Sequence, residues 1–297
     1  IASRNFANKI WNASRFVLMN LKDEQMDLSL PLDKLAIEDK WVLSKFNKLV
    51  REVTDNLEKF ELGIAVSKLY DFIWDVFCDW YVELVKSRLW EDGAEAEVAR
   101  QVLVYVLSNT LKLLHPFMPF ITEEIWQALP HEGESIMVSQ WPVYDEKLDF
   151  AAEEREFEKV MDAIKAVRTR RSEMNVPPSR KAHLIIATDK KAAFEAGRSY
   201  ICKLAYASEV SVVDEAPEGS EGMVSVITDN ARMFMPMAEL VDLEKEKARI
   251  QKELANAEKM LAGQNAKLAN ENFVSRAPEQ VVNAEREKKA KLEALIE

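Results

Sequence analysis

The sequence predicts a mainly α-helical protein in three parts, each with its own apolar pattern. Through residues 1–129 apolar side chains recur at helical spacing, which predicts an antiparallel helical bundle. Between residues 183 and 237 short apolar runs alternate with one helical stretch, which predicts a small α/β domain. From Leu240 a heptad pattern predicts a C-terminal antiparallel coiled-coil hairpin. The predicted domain limits are 1–150, 151–239 and 240–297.

The predicted bundle consists of five helices with short connections, as is typical of antiparallel neighbours. The first helix ends near Leu21. The second, third and fourth span about Asp33–Phe60, Leu62–Trp90 and Glu95–Leu114. The fourth stops before Pro116, because proline cannot continue a helix, and the fifth begins with Thr122 as its N-cap. Residues 130–150 form an extended connector.

The segment between the fourth and fifth helices is read as structural. Two prolines turn the chain there, and we expect Phe117, Met118 and Phe120 to fill the core. We interpret His115 as a hydrogen-bonded residue at the helix end rather than as a ligand.

The periodicity changes after the connector. A helix over Glu153–Arg171 ends in a basic cluster and is stopped by Asn175–Pro178. The following elements are a strand at His183–Thr188, a helix at Lys190–Leu204, a strand at Val210–Val213 and two strands within Met223–Met237, around Asp229-Asn230.

The predicted arm has two apolar seams. One holds Leu243, Ile250, Ala257 and Gln264, and the other holds Leu240, Lys247, Leu254, Leu261 and Leu268. A polar stretch at Asn270–Pro278 interrupts the heptads, so we expect a hairpin with Phe273 near its tip.

Composition excludes several classes of function. Only 7 of 297 residues are glycine, and no glycine-rich phosphate-binding motif occurs. Three isolated histidines and two distant cysteines, Cys78 and Cys202, predict no metal site, no disulfide and a reducing cytoplasm. No apolar run approaches the roughly 18–20 residues that span a membrane. We therefore expect no catalytic site. Because the chain starts at Ile1 in mid-helix, we expect it to be part of a longer protein.

The charge of the chain is uneven. A net charge of −11 argues against binding nucleic acid. However, residues 1–22 carry four basic and no acidic side chains, and residues 240–297 are neutral, with 11 of each sign. Local patches, rather than the total charge, decide where a phosphate backbone can lie.

The first helix carries the most unusual surface. Phe6, Ile10, Ala13 and Val17 share one face, as expected of a core side. The opposite face offers two guanidinium groups, two amides and aromatic rings, in a stripe of Arg4, Asn8, Trp11, Asn12 and Arg15 with Phe16 at its edge. Aromatic faces beside planar donors suit unstacked nucleic-acid bases, although a helix packed on both sides would leave the same pattern.

Six segments resemble class I aminoacyl-tRNA synthetases, in the order expected along the chain. Three of them are similar to bacterial valyl-tRNA synthetases in particular: Asn8–Phe16 (NKIWNASRF), Phe77–Leu84 (FCDWYVEL) and Asn270–Val282 (NENFVSRAPEQVV). The others resemble segments of the wider family: Asp39–Asn47 (DKWVLSKFN), His115–Trp126 (HPFMPFITEEIW) and Arg168–Pro178 (RTRRSEMNVPP). The resemblance covers essentially the whole chain.

The resemblance implies the C-terminal, tRNA-binding part of a valine--tRNA ligase. The bundle would read the anticodon of the tRNA for valine, and the arm would brace that tRNA. The family's ATP-binding signatures and editing domain are absent, so this chain alone should hold no cofactor and should not aminoacylate. The full-length enzyme would use ATP with magnesium. It would also contain N-terminal catalytic and editing domains, which would be partners of this chain. A cytoplasmic monomer is the simplest expectation.

Candidate tRNA contacts follow from the stripe and from the basic residues further along the chain. Arg15 and Phe16 form the candidate anticodon-reading pair, with Asn12, Arg4 and Asn8 beside them. Candidate backbone contacts are Arg168, Arg170, Arg171, Lys252, Lys267, Arg276, Arg286 and Lys289. The arginines could equally complement the negative end of their own helix, and the arm residues could be a solvated coiled-coil face.

Two other interpretations fit parts of the pattern. The acidic balance and heptad arm would suit a helical scaffold that recruits proteins and has no RNA role. The shared segments would also suit the corresponding region of an isoleucyl- or leucyl-tRNA synthetase, although the arm and FCDWYVEL count against it.

Overall fold

The computed structural model describes residues 2–22, 26–91, 93–240, 243–269 and 279–296. Its backbone contacts divide the chain into two compact units. The first unit comprises the residues up to 166 together with 189–205 and 228–231. The second comprises 167–188, 206–227 and the residues from 232 onward. Each unit is described by itself.

The first unit is a helical bundle. Its helices are α1 (Ala2–Asn20), α2 (Ile37–Glu58), α3 (Leu62–Asp71), α4 (Val82–Trp90), α5 (Ala94–Leu114) and α6 (Pro119–Ala128), together with the start of α7 (Ala151–Glu173). A single apolar core runs from Phe6 to Met161 and includes Phe46 and Trp126. The predicted helices are therefore present, with ends that differ by a few residues from the predicted ones.

A π-helix joins α3 to α4 within the predicted third helix. It spans Phe72–Tyr81, and the chain stays helical from Leu62 to Trp90. The buried Phe72, Phe77 and Val82 are five residues apart, which matches the i→i+5 bonding of a π-helix. The sequence analysis predicted one helix over Leu62–Trp90 and did not predict this π-helical part of it.

Two predictions about the turn before α6 are wrong. The helix begins at Pro119, so Thr122 lies inside its first turn and is not the N-cap. Its buried hydroxyl donates to the Met118 carbonyl at 2.9 Å and lies 2.8 Å from His115 Nδ1, so the predicted helix-end role of His115 is confirmed. Phe120 points to solvent with 89% of its surface exposed and does not fill the core.

The connector, residues 130–150, is hydrogen-bonded to α2. It contains two 3-10 turns, Ile136–Val138 and Glu146–Leu148. The side chain of Asn47 donates to the Asp145 carbonyl at 2.8 Å and accepts from its N–H at 2.9 Å. These paired bonds satisfy backbone groups that an irregular segment would otherwise leave unpaired.

A buried ion cluster holds the first unit together. Glu38 and Asp39 of α2 are fully buried, and Arg88 of α4 donates to both carboxylates at 2.8 Å. Tyr81 donates to Asp39 at 2.7 Å, and Tyr200 donates to Glu38. Burial raises the pKa of Glu38, and its neighbour Asp39 adds to that shift.

The predicted helix at 190–204 is two short helices, α8 (Lys191–Ala196) and α9 (Arg198–Leu204). Gly197 separates them, and a Cβ at this position would lie 2.6 Å from a Val160 methyl. The close approach to α7 therefore requires glycine at the break. Tyr200, which reaches the ion cluster, lies on α9.

The second unit contains a four-stranded sheet in the order β2-β1-β4-β3. The strands are β1 (Ala182–Ala187), β2 (Ala207–Val213), β3 (Met223–Ile227) and β4 (Arg232–Pro236). β1 and β2 are parallel, and the other pairs are antiparallel. The prediction of two strands around Asp229-Asn230 is confirmed.

The arm follows a short helix, α10 (Met237–Leu240), and consists of α11 (Leu243–Ala269) and α12 (Glu279–Ile296). The two helices pack against each other, burying Ala257 and Val282. Lys267 Nζ lies 3.3 Å from the Glu285 carboxylate. The predicted tip residue Phe273 lies outside the described residues.

Replacing Arg88 should strongly destabilise the first unit. Arg88→Met leaves two buried carboxylates without their cation, which costs about 3–5 kcal/mol. Urea unfolding of the variant should show this loss. The control Arg198→Met removes an exposed arginine that is paired with Glu195, and should change stability by less than about 0.5 kcal/mol. Equal effects of the two substitutions would contradict the assigned role of the cluster.

Cys78 should react slowly with alkylating agents in the folded protein. Burial raises the pKa of its thiol to about 12, so at pH 8 the reactive thiolate is scarce. In a Cys202→Ser background, iodoacetamide modification followed by mass spectrometry should be at least a hundredfold slower in buffer than in denaturant. Similar rates in the two solvents would show that Cys78 is not enclosed.

Candidate nucleic-acid interface

The two faces of α1 differ in solvent exposure, as the sequence predicts. Phe6, Ile10, Ala13 and Val17 are buried, with at most 9% of their surface exposed. The side chains of Arg4, Asn8, Asn12 and Arg15 are exposed, and Trp11 is 42% exposed. The helix is therefore packed on one side only, which removes the alternative of a helix buried on both faces.

Arg15 and Phe16 differ in how they are held. Within the described residues no hydrogen bond or ion pair involves Arg15, so its guanidinium keeps its full donor capacity. Phe16 is half-buried and packs against the core. Lys86, which is paired with Glu83, has its Nζ 5.8 Å from the centre of the Phe16 ring.

An aromatic ladder runs beside the α1 stripe, and the sequence reading missed it. The rings of Phe6 and Tyr70 stack at 4.8 Å, and those of Tyr70 and Trp74 stack at 5.4 Å. Lys9 Nζ lies 4.1 Å from the Trp74 ring and is paired with Asp79. The spacing of Tyr70 and Trp74, four residues apart, was the available signal.

The basic cluster at the end of α7 separates into exposed and buried members. Arg168 and Arg170 are exposed, and Arg170 lies 3.2 Å from Glu173. Arg171 is 2% exposed and donates to the carbonyls of Pro177 and Arg180. Arg171 is therefore corrected from a backbone candidate to a residue that holds the turn after α7.

The arm candidates are only partly described. Lys267 pairs with Glu285, Arg286 is exposed with Asn283 at 3.5 Å, and Lys289 is half-buried. Arg276 and the side chain of Lys252 lie outside the described residues.

Neither a metal-binding cluster nor a membrane-spanning helix occurs in the part of the chain that the structure describes. No group of three or more His, Cys, Asp or Glu side chains there could hold a metal ion. Among the same residues, no helix combines the length and apolar character needed to cross a membrane.

Two family models match the chain. Residues 39–186 match the one described as "Anticodon-binding domain of tRNA ligase", and residues 242–297 match "Valyl tRNA synthetase tRNA binding arm". The chain belongs to the valyl-tRNA synthetase family. The arm match decides against the isoleucyl and leucyl alternatives, and α1 precedes the first matched segment.

Individual relatives agree with this membership. The chain is 50% identical over its whole length to the valine--tRNA ligase of Clostridium acetobutylicum, and covers 34% of that protein. It is 51% identical to the Clostridium tetani enzyme, again over the whole chain and 34% of that enzyme. It is 45% identical to the Bacillus cereus enzyme over 96% of the chain and 33% of that enzyme. The chain thus spans about a third of the length of these relatives.

Substitutions of Arg171 and Arg168 should have opposite effects on stability and on RNA affinity. Arg171→Ala removes the buried side chain that donates to the carbonyls of Pro177 and Arg180, and should cost about 1–3 kcal/mol in urea unfolding. Arg168→Ala should leave stability within about 0.5 kcal/mol, because its side chain is exposed. In filter binding, Arg168→Ala should weaken RNA affinity, whereas the folded fraction of Arg171→Ala should keep it. The reverse pattern would reinstate Arg171 as the phosphate contact.

Proposed function

We propose that this chain is the tRNA-binding C-terminal part of a valine--tRNA ligase, and that α1 reads the anticodon. The observation that carries the proposal is the Arg15 guanidinium, free of partners among the described residues, beside the Phe16 ring on a helix surface whose sequence from Ile1 to Lys22 has no carboxylate. Membership in the valyl-tRNA synthetase family supports the same function.

The two residues of the reading pair have different roles, one in stacking and the other in hydrogen bonding. The Phe16 ring stacks on an anticodon base that has left the helical stack, and Arg15 binds the edge of a base or a phosphate. Asn12 and Asn8 offer amide groups further along the same face, and Arg4 supplies charge for the backbone. Since Phe16 is anchored by the core, its ring is already positioned before RNA arrives, which lowers the entropy cost of binding.

The remaining parts hold the tRNA without reading it. In this proposal residues 1–150 form the anticodon-binding domain, 151–239 a small α/β domain, and 240–297 an arm that braces the tRNA. Phosphate contacts come from Arg168, Arg170, Lys252, Lys267, Arg276, Arg286 and Lys289. A neutral arm with alternating charges suits this role, because it touches phosphates without a strong nonspecific attraction.

The whole enzyme would attach valine to its tRNA in the cytoplasm. That reaction would use ATP with magnesium, bound by the catalytic domain in the N-terminal part of such an enzyme. The chain acts as a monomer that positions the acceptor end of the tRNA toward those domains.

Substitution of the reading pair tests the proposal. In filter binding of the tRNA for valine to this chain, Arg15→Ala and Phe16→Ala should each weaken affinity by tenfold or more, since stacking alone contributes about 1–3 kcal/mol. Phe16→Leu keeps the apolar packing but lacks the π-face, and should weaken binding as Phe16→Ala does.

Matched controls separate this effect from a general loss of charge or aromatic surface. Arg155→Ala removes an exposed arginine on α7, and Phe60→Ala removes a ring that is 87% exposed at the end of α2. Both should leave affinity within twofold. If Arg15 and Phe16 variants bind as tightly as these controls, α1 is not the reader.

The phosphate contacts of the arm should be visible in the salt dependence of binding. Arg286→Gln should lower the slope of log affinity against log salt by about 0.7–0.9, the value for one lost contact. Arg155→Gln should not change the slope. An unchanged slope for Arg286→Gln would assign that arginine to the solvated face of the coiled coil.

A further inference from the structure

A row of apolar side chains on α3 continues past the part that α1 covers. Leu62, Val66 and Tyr70 are four residues apart, so they share one flank of the helix. Phe6 of α1 stacks on Tyr70, with ring centroids 4.8 Å apart. Nearer the start of α3, Leu62 is 52% exposed and Val66 is 38% exposed. That part of the row is therefore open to solvent.

The direction of α1 shows what could cover the open part. The helix meets Tyr70 near its own start, and its Phe16, about three turns later, meets Lys86 of α4. It therefore runs parallel to α3, the π-helix and α4. One turn back from Tyr70, Val66 is level with the start of α1, and Leu62 lies a further turn out. Polypeptide that leads into α1 in a longer protein would pass over these two side chains.

The corner before α3 holds an exposed aromatic ring on an unfavourable backbone. Phe60 has a φ of 59°, in the left-handed region that favours glycine after a helix. The Phe60 N–H donates to the Leu57 carbonyl at 3.0 Å. The next N–H, of Glu61, donates to the Asn56 carbonyl at 2.8 Å. Because the ring is 87% exposed, its packing in this chain offsets little of the strain, which indicates a surface with a partner.

The charges around this face favour a protein partner over nucleic acid. Lys68 lies 2.8 Å from Glu52. Residues 58–71 carry three acidic and two basic side chains, so they offer no excess of positive charge to a phosphate backbone. Exposed apolar side chains within a polar rim are typical of protein–protein contacts.

We propose that this face, formed by Phe60, Leu62, Val66 and Tyr70, binds the N-terminal part of the full-length ligase where that part leads into α1. The inference rests on the proposed function, because a longer ligase supplies the partner. The chain covers 34% of the Clostridium acetobutylicum enzyme, so in a protein of that length about two thirds of the residues are available to cover the face. The contact joins those residues to the core on which the anticodon-reading helix packs.

Oxidation by hydroxyl radicals measures this cover directly, because covered side chains react slowly. Trypsin releases most of the face in one peptide, Phe60–Lys68, and releases the exposed Trp90 in the control peptide Leu89–Arg100. Oxidation of Phe60–Lys68 should be about fivefold or more slower in the full-length ligase than in the 297-residue chain. The control peptide should react within about twofold in the two proteins. Equal slowing of both peptides, or no slowing of Phe60–Lys68, would overturn the proposal.

A charge placed in the row should remove the protection. Val66→Glu puts a carboxylate on the covered flank, and Ser67→Glu puts the same group about 100° further round the helix. In the full-length ligase, Val66→Glu should return Phe60–Lys68 to the oxidation rate of the chain alone, and Ser67→Glu should leave it slow. Both positions are exposed in the chain, so neither variant should shift its melting temperature by more than about 2 °C. Equal protection in the two variants would contradict the assigned contact.

Two further measurements distinguish this inference from the proposed function. Filter binding of the tRNA for valine to the 297-residue chain should change less than twofold in Val66→Glu, and a larger loss would assign the row to RNA and overturn the proposal. A chain without anticodon preference, whose face is still protected in the full-length ligase, would refute anticodon reading and support the contact. In sedimentation velocity, a dimer of the chain that Val66→Glu abolishes would assign the face to a second copy and overturn the proposal.

Discussion

The first unit depends on a buried ion cluster that joins three of its helices. Arg88 joins Glu38 and Asp39, which are adjacent on α2 and both fully buried. Burial opposes the charge of Arg88, but the two carboxylates outweigh it and raise its pKa. Two neighbouring carboxylates are costly to bury unless a cation and hydrogen bonds satisfy them, so α2, α4 and α9 are held in one arrangement. That arrangement fixes the core against which α1 packs.

The position of α1 on this core resolves an apparent conflict between charge and function. A chain with a net charge of −11 would repel a phosphate backbone over most of its surface. The first helix turns its apolar face inward and leaves arginine and asparagine side chains outward, without a carboxylate among them. General repulsion combined with one favourable surface favours specific over nonspecific RNA binding.

Sequence patterns predicted the structure correctly where a single force, the burial of apolar side chains, determined it. The α1 faces, the bundle and the two-helix arm follow from apolar periodicity alone. The errors arose where several forces compete. Pro119 starts α6 because it suits the first turn of a helix, which displaced Thr122 from the cap and left Phe120 outside. In the sequence, Arg171 is indistinguishable from its exposed basic neighbours. Its burial is explained only by the fold, which brings the carbonyls of Pro177 and Arg180 within hydrogen-bonding distance of its guanidinium. The ion cluster joins residues that are distant in sequence, so no local sequence pattern predicts it.

The central claim is that this chain itself reads the anticodon. The most direct measurement is a filter-binding titration of the unmodified chain with the tRNA for valine and with the same tRNA carrying a different anticodon. We expect the swap to weaken binding at least tenfold at moderate salt. Equal affinity for both RNAs would contradict this proposal and would leave the chain as a brace, with discrimination residing outside these residues.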